Sequence, residues 1–99
     1  MSEYTAAINF EWDEQKNQRN VHKHGLSFAD AWEMFQMPML VEIDDREDYG
    51  EERWIGIGRI RNRTVIAVYS EPDNASIRII SLRKALKHER QAYEEYIGD

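Results

Sequence analysis

The stretch that decides the fold is RWIGIGRIRNRTVIAVYS, residues 53–70. Its first part, 53–60, alternates in polarity as a β-strand does, and Arg61-Asn62 with Arg63 forms a short polar connection. The next run, 64–70, is continuously apolar, which is typical of a central strand buried on both faces. This stretch predicts a hairpin whose second strand lies inside a sheet.

Two further strands extend the sheet on either side of this hairpin. MLVEI at 39–43 precedes it, and ASIRIISL at 75–82 follows a turn at 71–74. Gly56 and Gly58 lie inside a strand pattern with no helix after them, so they favour close packing or a bulge over a phosphate-binding loop. The pattern predicts a four-stranded antiparallel meander.

Three helices are predicted around the strands. Acidic residues open the segment 13–24 and Gly25 follows it, while Ser27 can cap a second helix that Pro38 stops. The closing helix is predicted to begin at Arg83. The apolar face of the second helix is predicted to contain Phe28, Ala31, Trp32 and Phe35.

The order of elements predicts a single domain over residues 1–99. Residues 1–9 show no clear period and are expected to form a loose lead-in or a short edge strand. The fold class is α+β, with two N-terminal helices, a four-stranded antiparallel sheet and a C-terminal helix. Trp12, Trp32 and Trp54 are expected in the core.

Length and composition exclude several classes of protein. A chain of 99 residues has no room for a dinucleotide-binding domain with a substrate domain, a barrel enzyme or a kinase. With no Cys, it has neither disulfides nor thiolate chemistry. Its apolar runs are far shorter than the roughly 20 residues of a membrane-spanning helix, so a cytoplasmic protein is expected.

The charge is distributed unevenly along the chain. The net charge is −6, but residues 1–52 carry 4 Lys/Arg and 13 Asp/Glu, whereas 53–90 carry 9 Lys/Arg and 3 Asp/Glu. An acidic molecule is a poor non-specific binder of nucleic acid, although a local basic face remains compatible with the sequence. The alternative is that these charges only solvate two surfaces.

No motif predicts a metal or another cofactor. His22 and His24 are two residues apart, about 200° around a helix axis, and His88 is distant in sequence. No serine lies in a nucleophile elbow. We therefore expect neither a metal nor a cofactor.

The basic residues Arg78, Arg83 and Lys84 come where the last strand is predicted to meet the closing helix. Cleavage of RNA without a metal needs cations at the scissile phosphate and groups that move protons at the 2′ and 5′ oxygens. Candidates for proton transfer are Glu52, Glu89, His24, His88 and Tyr93. The alternative is a solvated helix face in which Glu89 pairs with the basic residues Arg83, Lys84, Lys87 and Arg90.

Several short motifs resemble the BrnT family of toxins over about residues 10–95. The matching residues are Phe10-Glu11-Trp12-Asp13, Lys16, Asn20, Lys23-His24-Gly25, Ser27-Phe28, Glu52-Arg53-Trp54, Ile57-Gly58, Arg78-Ile79-Ile80-Ser81, Arg83-Lys84-Ala85, Glu89-Arg90 and Tyr93-Glu94. No single motif is specific, but together they are.

The resemblance implies a metal-independent endoribonuclease toxin of a type II toxin–antitoxin pair, with a RelE-like fold. It implies inhibition by a BrnA-type antitoxin, and contact with operator DNA only through the antitoxin complex. The catalytic candidates are then Arg53, Arg78, Arg83, Lys84, Glu52 and His24, and the RNA-binding candidates are Lys87, His88 and Arg90.

One departure from the family pattern is the net charge of −6, because toxins of this type are commonly basic. The acidic excess of 1–52 either faces away from RNA or weakens the nuclease. The runner-up function is a non-catalytic module that acts as corepressor partner of a DNA-binding antitoxin.

Overall fold

The computed structural model describes residues 8–98. Two α-helices, one 3₁₀ helix and five strands lie within this range. In chain order they are β1 (Asn9–Glu11), α1 (Glu14–His24), the 3₁₀ helix (Phe28–Gln36), β2 (Leu40–Ile43), β3 (Trp54–Ile60), β4 (Arg63–Asp73), β5 (Ser76–Lys84) and α2 (Lys87–Ile97). The expectation for residues 1–7 lies outside the described residues.

The strands form one mixed sheet in the order β1-β5-β4-β3-β2. The expected meander of β2 to β5 is present, and all its pairs are antiparallel. The four-stranded sheet was wrong in one respect, because β1 pairs in parallel with β5, with Phe10 opposite Ile77. The chain crosses from one edge of the sheet to the other between β1 and β2. Local sequence patterns do not specify the pairing of β1 with β5, because the two strands are far apart in the chain.

The predicted hairpin at the centre of the sheet is confirmed. Ile60 lies opposite Arg63, and both loop residues adopt positive φ, 49° at Arg61 and 68° at Asn62. Positive φ at two consecutive loop residues defines a type I′ turn, whose twist matches that of the two strands it joins. Every residue of 64–70 is buried except Val68, which is half-buried, as expected of a central strand.

Helix α1 is anchored by two buried asparagines. Asp13 caps it by accepting a hydrogen bond from the Lys16 N–H, and Gly25 ends it in the left-handed conformation. The Asn17 side chain accepts from the Phe28 N–H at 2.8 Å. Asn20 accepts from the Leu82 N–H and donates to the Leu26 carbonyl, which attaches α1 to β5.

The second helix is a 3₁₀ helix, and this changes which side chains it buries. The hydrogen bonds from Asp30 N to Ser27 O and from Met37 N to Met34 O span three residues. With three residues per turn, the buried stripe is Phe28, Ala31 and Met34. The core position predicted for Trp32 was therefore wrong: it is 54% exposed, whereas Trp12 and Trp54 pack against the core.

The predicted start of the closing helix was also wrong. Arg83 and Lys84 belong to β5, and the Ala85 N–H still donates to Thr64 O on β4. Helix α2 begins only at Lys87, where the Glu89 carboxylate accepts from the Leu86 N–H. The strand ladder thus continues through residues that propensity alone assigns to a helix.

The hydrophobic core lies on one face of the sheet. Val65, Ala67 and Tyr69 of β4 pack with the buried stripe of the 3₁₀ helix. A Cβ atom at Gly56 would overlap the methyl group of Met39, so the interpretation of this glycine as a close-packing residue is confirmed. On α2, Tyr93 is buried and donates to Pro38 O at 2.7 Å.

Candidate functional site

A bulge in β5 places two arginines on the same face of the sheet. Tyr69 lies opposite Ile79 and Val68 opposite Ser81, so Ile80 is an extra residue on β5. Side chains alternate along a regular strand, and Arg78 and Arg83, five residues apart, would then face opposite ways. The bulge restores the match, because Arg78 lies opposite Ser70 and Arg83 opposite Ile66, both on one face of β4.

This face, opposite the one packed against the 3₁₀ helix, is called here the arginine face; its defining residues are Arg53, Arg78 and Arg83. Arg53 joins it because its neighbour Trp54 pairs with Tyr69 on the core side, so Arg53 points the other way, beside Ser70. The Arg53 carbonyl accepts a hydrogen bond from the Asp44 N–H at 2.8 Å, which continues the β2–β3 ladder.

A row of polar side chains runs across the sheet at one end of the arginine face, where Asp44 follows β2 and Arg53 precedes β3. Across the sheet, the residues of this polar row are Asp44, Arg53, Ser70, Arg78 and Glu11. Neighbouring strands lie about 4.8 Å apart, so each side chain is within reach of the next. The row is flanked by the 44–53 connection, which contributes a carboxylate from outside the strands.

Three carboxylate contacts hold Arg78 and Arg53 loosely. Arg78 lies 3.3 Å from the Glu11 carboxylate and 3.7 Å from that of Glu51, and Arg53 Nε lies 3.5 Å from the other Glu51 oxygen. These separations exceed the 2.7–2.9 Å typical of strong charge-assisted hydrogen bonds. The Arg53 guanidinium also stacks on Tyr49, 4.0 Å from the ring centroid.

Arg83 is held more firmly, by a bidentate pair with Glu89 of α2. Both nitrogen–oxygen distances are 2.8 Å. These hydrogen bonds lower the pKa of Glu89 to about 2 and raise the pKa of Arg83, although the like charge of nearby Arg46 acts in the other direction. The Arg83 side chain is 39% exposed, so its guanidinium is oriented and still open to a ligand.

Asp44, at the β2 end of the polar row, is buried and paired with Arg46. The Arg46 Nε and terminal nitrogen donate to the two Asp44 oxygens at 2.7 and 2.8 Å. These hydrogen bonds lower the pKa of Asp44 from 3.8 to about 2. Asp44 therefore stays ionised well below neutral pH and fixes the start of the 44–53 connection.

The ion pair of Asp44 should make stability depend on acid pH. Because its pKa in the folded chain is depressed, ionised Asp44 stabilises the fold above about pH 4, and that stabilisation is lost as the pH falls through about 2. We expect Asp44→Asn to be less stable than wild type at pH 6 but to lose less on acidification. Urea unfolding at pH 2 to 6 measures this, with the exposed neighbour in Asp45→Asn as control; equal pH slopes for wild type and Asp44→Asn would contradict it.

The remaining predicted site residues lie around the arginine face rather than on it. Lys84 lies opposite Val65, whose side chain is in the core, so it points away from Arg83. His24 ends α1 and shares an open groove with Lys23, Arg83, Lys84 and Leu86. Glu52, Lys87, His88 and Arg90 are exposed, and Arg90 lines a second groove with Arg59, Arg63 and Glu94.

Sequence reasoning named Glu89 as a partner of Arg83, but it missed the acidic partners Glu11 and Glu51 and the serine of this site. It chose Glu52, but the neighbouring Glu51 makes the contacts to Arg53 and Arg78. Of the two alternatives given for the acidic excess, a position facing away does not describe Glu11, Asp44 and Glu51, which each contact an arginine. The one available signal was Ser70, a polar residue ending the apolar run of the central strand.

Within residues 8–98, no three His, Asp or Glu side chains come together in a way that could hold a metal ion. No helix in that range is both long and apolar enough to cross a bilayer.

Comparisons with known proteins decide the family. The family model described as ribonuclease toxin, BrnT, of type II toxin–antitoxin system matches residues 12–89. This chain belongs to the BrnT family. Membership of a type II system implies an antitoxin partner. No curated protein matches the chain.

A solved BrnT structure has a similar fold. The crystal structure of the Brucella abortus ribonuclease toxin BrnT superposes with a TM-score of 0.63 at 27% sequence identity, over 81% of this chain and 99% of that one. The shared BrnT fold covers nearly all of the Brucella chain, and the three residues of the arginine face lie inside the range that the family model matches.

Proposed function

We propose that this BrnT chain is an endoribonuclease that cleaves RNA without a metal ion and suppresses translation in the cytoplasm. The observation that carries the proposal is the convergence of Arg53, Arg78 and Arg83 on one face of the sheet. Three guanidinium groups supply the donors that a phosphodiester and its transition state require. They do so from rigid strands, which fixes their positions before substrate binds.

The arginine face is also long enough to bind a stretch of single-stranded RNA. The partners of Arg78 and Arg83 on β4 are four residues apart, which corresponds to roughly 14 Å along a strand. Lys87 and Arg90 at the exposed start of α2 add positive charge beyond Arg83, and His88 lies between them in the chain. An RNA chain lying from Arg78 towards α2 would contact cations along its whole path, which favours backbone recognition.

Proton transfer is assigned to the end of the face near Arg83. His24 lines the same groove as Arg83 and Lys84, and an imidazole is the side chain best suited to exchange protons near neutral pH. In this proposal Arg83 contacts the scissile phosphate, Lys84 neutralises developing charge from the groove, and His24 moves the proton. Glu52 is the alternative base, placed beside Arg53.

Carboxylates restrain this activity. Each of the three arginines is paired with a glutamate, so RNA phosphate must replace a carboxylate to bind. An acidic chain can carry a cationic site in this way because Glu11, Glu51 and Glu89 lie beside the arginines as their partners. We infer that a BrnA-type antitoxin neutralises the toxin by covering the same face, and that operator DNA is contacted only by that complex.

The deciding experiment is cleavage of purified single-stranded RNA in EDTA at low salt. Wild type should cut, and Arg78→Ala should cut at least tenfold more slowly, because one charge-assisted contact to phosphate is lost. Arg61→Ala is the matched control, since Arg61 is an exposed arginine paired with Asp30 at the hairpin turn; it should cut at the wild-type rate.

Two outcomes would contradict the proposal. If neither wild type nor variant cuts free RNA, the chain is not an autonomous nuclease, and the non-catalytic corepressor or a ribosome-dependent enzyme takes its place. If all three proteins cut equally, the activity does not come from the arginine face.

A further inference from the structure

Two buried polar atoms of the polar row make no hydrogen bond within the described chain. Within residues 8–98, Ser70 Oγ and Arg53 Nε are the buried side-chain nitrogen and oxygen atoms without a hydrogen bond. Ser70 is 2% exposed and lies on the central strand, directly opposite Arg78. A buried hydroxyl without a partner is costly, and such groups mark places where a ligand or water completes the site.

The unsatisfied atoms flank a point that already holds an anion. The Glu51 carboxylate lies between Arg53 and Arg78, 3.5 Å from one and 3.7 Å from the other. It reaches this point from the 44–53 connection, just after Gly50 with its φ of 74°, rather than from a strand. The side chain is thus a loosely held anion shared by two guanidinium groups, and Ser70 belongs to the strand that lies between them.

We propose that Arg53, Ser70 and Arg78 form a pocket for a phosphate group, which enters by displacing the Glu51 carboxylate. A phosphate offers more oxygens than a carboxylate, so it can satisfy Arg53 Nε, the Arg78 guanidinium and the Ser70 hydroxyl together. The serine is a binding residue here, and Glu51 is the internal competitor. The phosphate is a phosphodiester of RNA bound away from the groove near Arg83, a step that rests on the proposed nuclease function.

Anion binding can be measured without any cleavage. Inorganic phosphate is titrated into the ¹⁵N-labelled full chain at constant ionic strength, and the Arg53 Nε–H resonance is followed by NMR. Wild type should show a saturable shift. Ser70→Ala should bind about tenfold more weakly, since a hydrogen bond to a charged ligand is lost. Glu51→Gln should bind several-fold more tightly, since the competing charge is gone.

Matched controls separate a ligand site from a structural role. Ser81→Ala removes a hydroxyl from the same face of the neighbouring strand, and Glu47→Gln removes an exposed carboxylate from the same 44–53 connection as Glu51; both should bind phosphate as wild type does. The melting temperature of Ser70→Ala should be unchanged or raised, because its hydroxyl has no partner within the described chain. A markedly lower melting temperature would indicate a structural hydroxyl and overturn the proposal.

The source of the phosphate is tested with a second probe. A short 2′-O-methyl RNA, which lacks the attacking hydroxyl, should shift the Arg53 signal at lower concentration than inorganic phosphate does. If only inorganic phosphate shifts it, the assignment to RNA is wrong. If Ser70→Ala and Glu51→Gln bind phosphate as wild type does, the proposed pocket is wrong, whatever the cleavage assay shows. If phosphate binds as expected but RNA is not cleaved, the nuclease function is wrong and the pocket stands.

Discussion

Replacing Asn20 with alanine is expected to lower the free energy of unfolding by about 3 kcal/mol. The Asn20 side chain is 8% exposed and makes two hydrogen bonds, accepting from the Leu82 N–H and donating to the Leu26 carbonyl. Its loss leaves two backbone groups unsatisfied between α1 and β5, each costing roughly 1–3 kcal/mol. For a chain of this size the melting temperature should fall by more than 10 °C, roughly.

The reason for so large an effect is that β1 is short. It ends at Glu11, opposite Arg78, so the edge of β5 beyond that point has no neighbouring strand there, and Asn20 takes its place at Leu82. Gln18→Ala, an exposed position on the same helix, is the control and should change the melting temperature little. If Asn20→Ala and Gln18→Ala have the same melting temperature, the Leu82 N–H finds another hydrogen-bond acceptor.

Replacing Arg83 with alanine is expected to reduce RNA cleavage by about 100-fold or more. In the proposed function this guanidinium faces the scissile phosphate, and loss of one oriented donor at developing charge costs roughly 10²–10³ in rate. Arg83→Lys should recover only part of the rate, because an ammonium group cannot make the bidentate contact. The rates are compared at matched RNA concentration in EDTA.

Glu89→Ala distinguishes a chemical role of Arg83 from a structural one. Both substitutions break the same bidentate pair, and Glu89→Ala also removes the acceptor of the Leu86 N–H at the start of α2. If the pair matters only for folding, Glu89→Ala should lose at least as much activity as Arg83→Ala. If Arg83 binds phosphate, Glu89→Ala keeps the cation and frees it, so activity should fall far less than in Arg83→Ala, and the result would be clearest at low salt.

The parts of the fold that sequence could predict are those fixed by local chemistry. Asp13 and Gly25 bound the first helix, and Arg61-Asn62 makes the hairpin turn, because caps and turns are determined by the residues that form them. The pairing of β1 with β5 could not be predicted in this way. It joins residues more than 60 positions apart through three residues only, and nothing in so short a segment sets its direction.

The kinds of residue at the candidate site were predictable, but their arrangement was not. Arg53, Arg78 and Arg83 follow from the chemistry of phosphate and from the family resemblance. Their presence on one face depends on Ile80 being accommodated as an extra residue, and counting along the strand predicts the opposite. The choice of Glu52 over Glu51 failed for a related reason, since the direction of each side chain in the 44–53 connection depends on its backbone turns.

The extra residue in β5 reverses the alternation of side chains between the two faces of the sheet. Before it, the even-numbered Arg78 lies on the arginine face; after it, the odd-numbered Ser81 and Arg83 do. In a relative that lacks this residue, the arginine that simple counting aligns with Arg78 would point into the hydrophobic core. A gap of one residue at Ile80 therefore changes which side chains share a face of the sheet. Equivalent positions in distant relatives have to be assigned separately on each side of it.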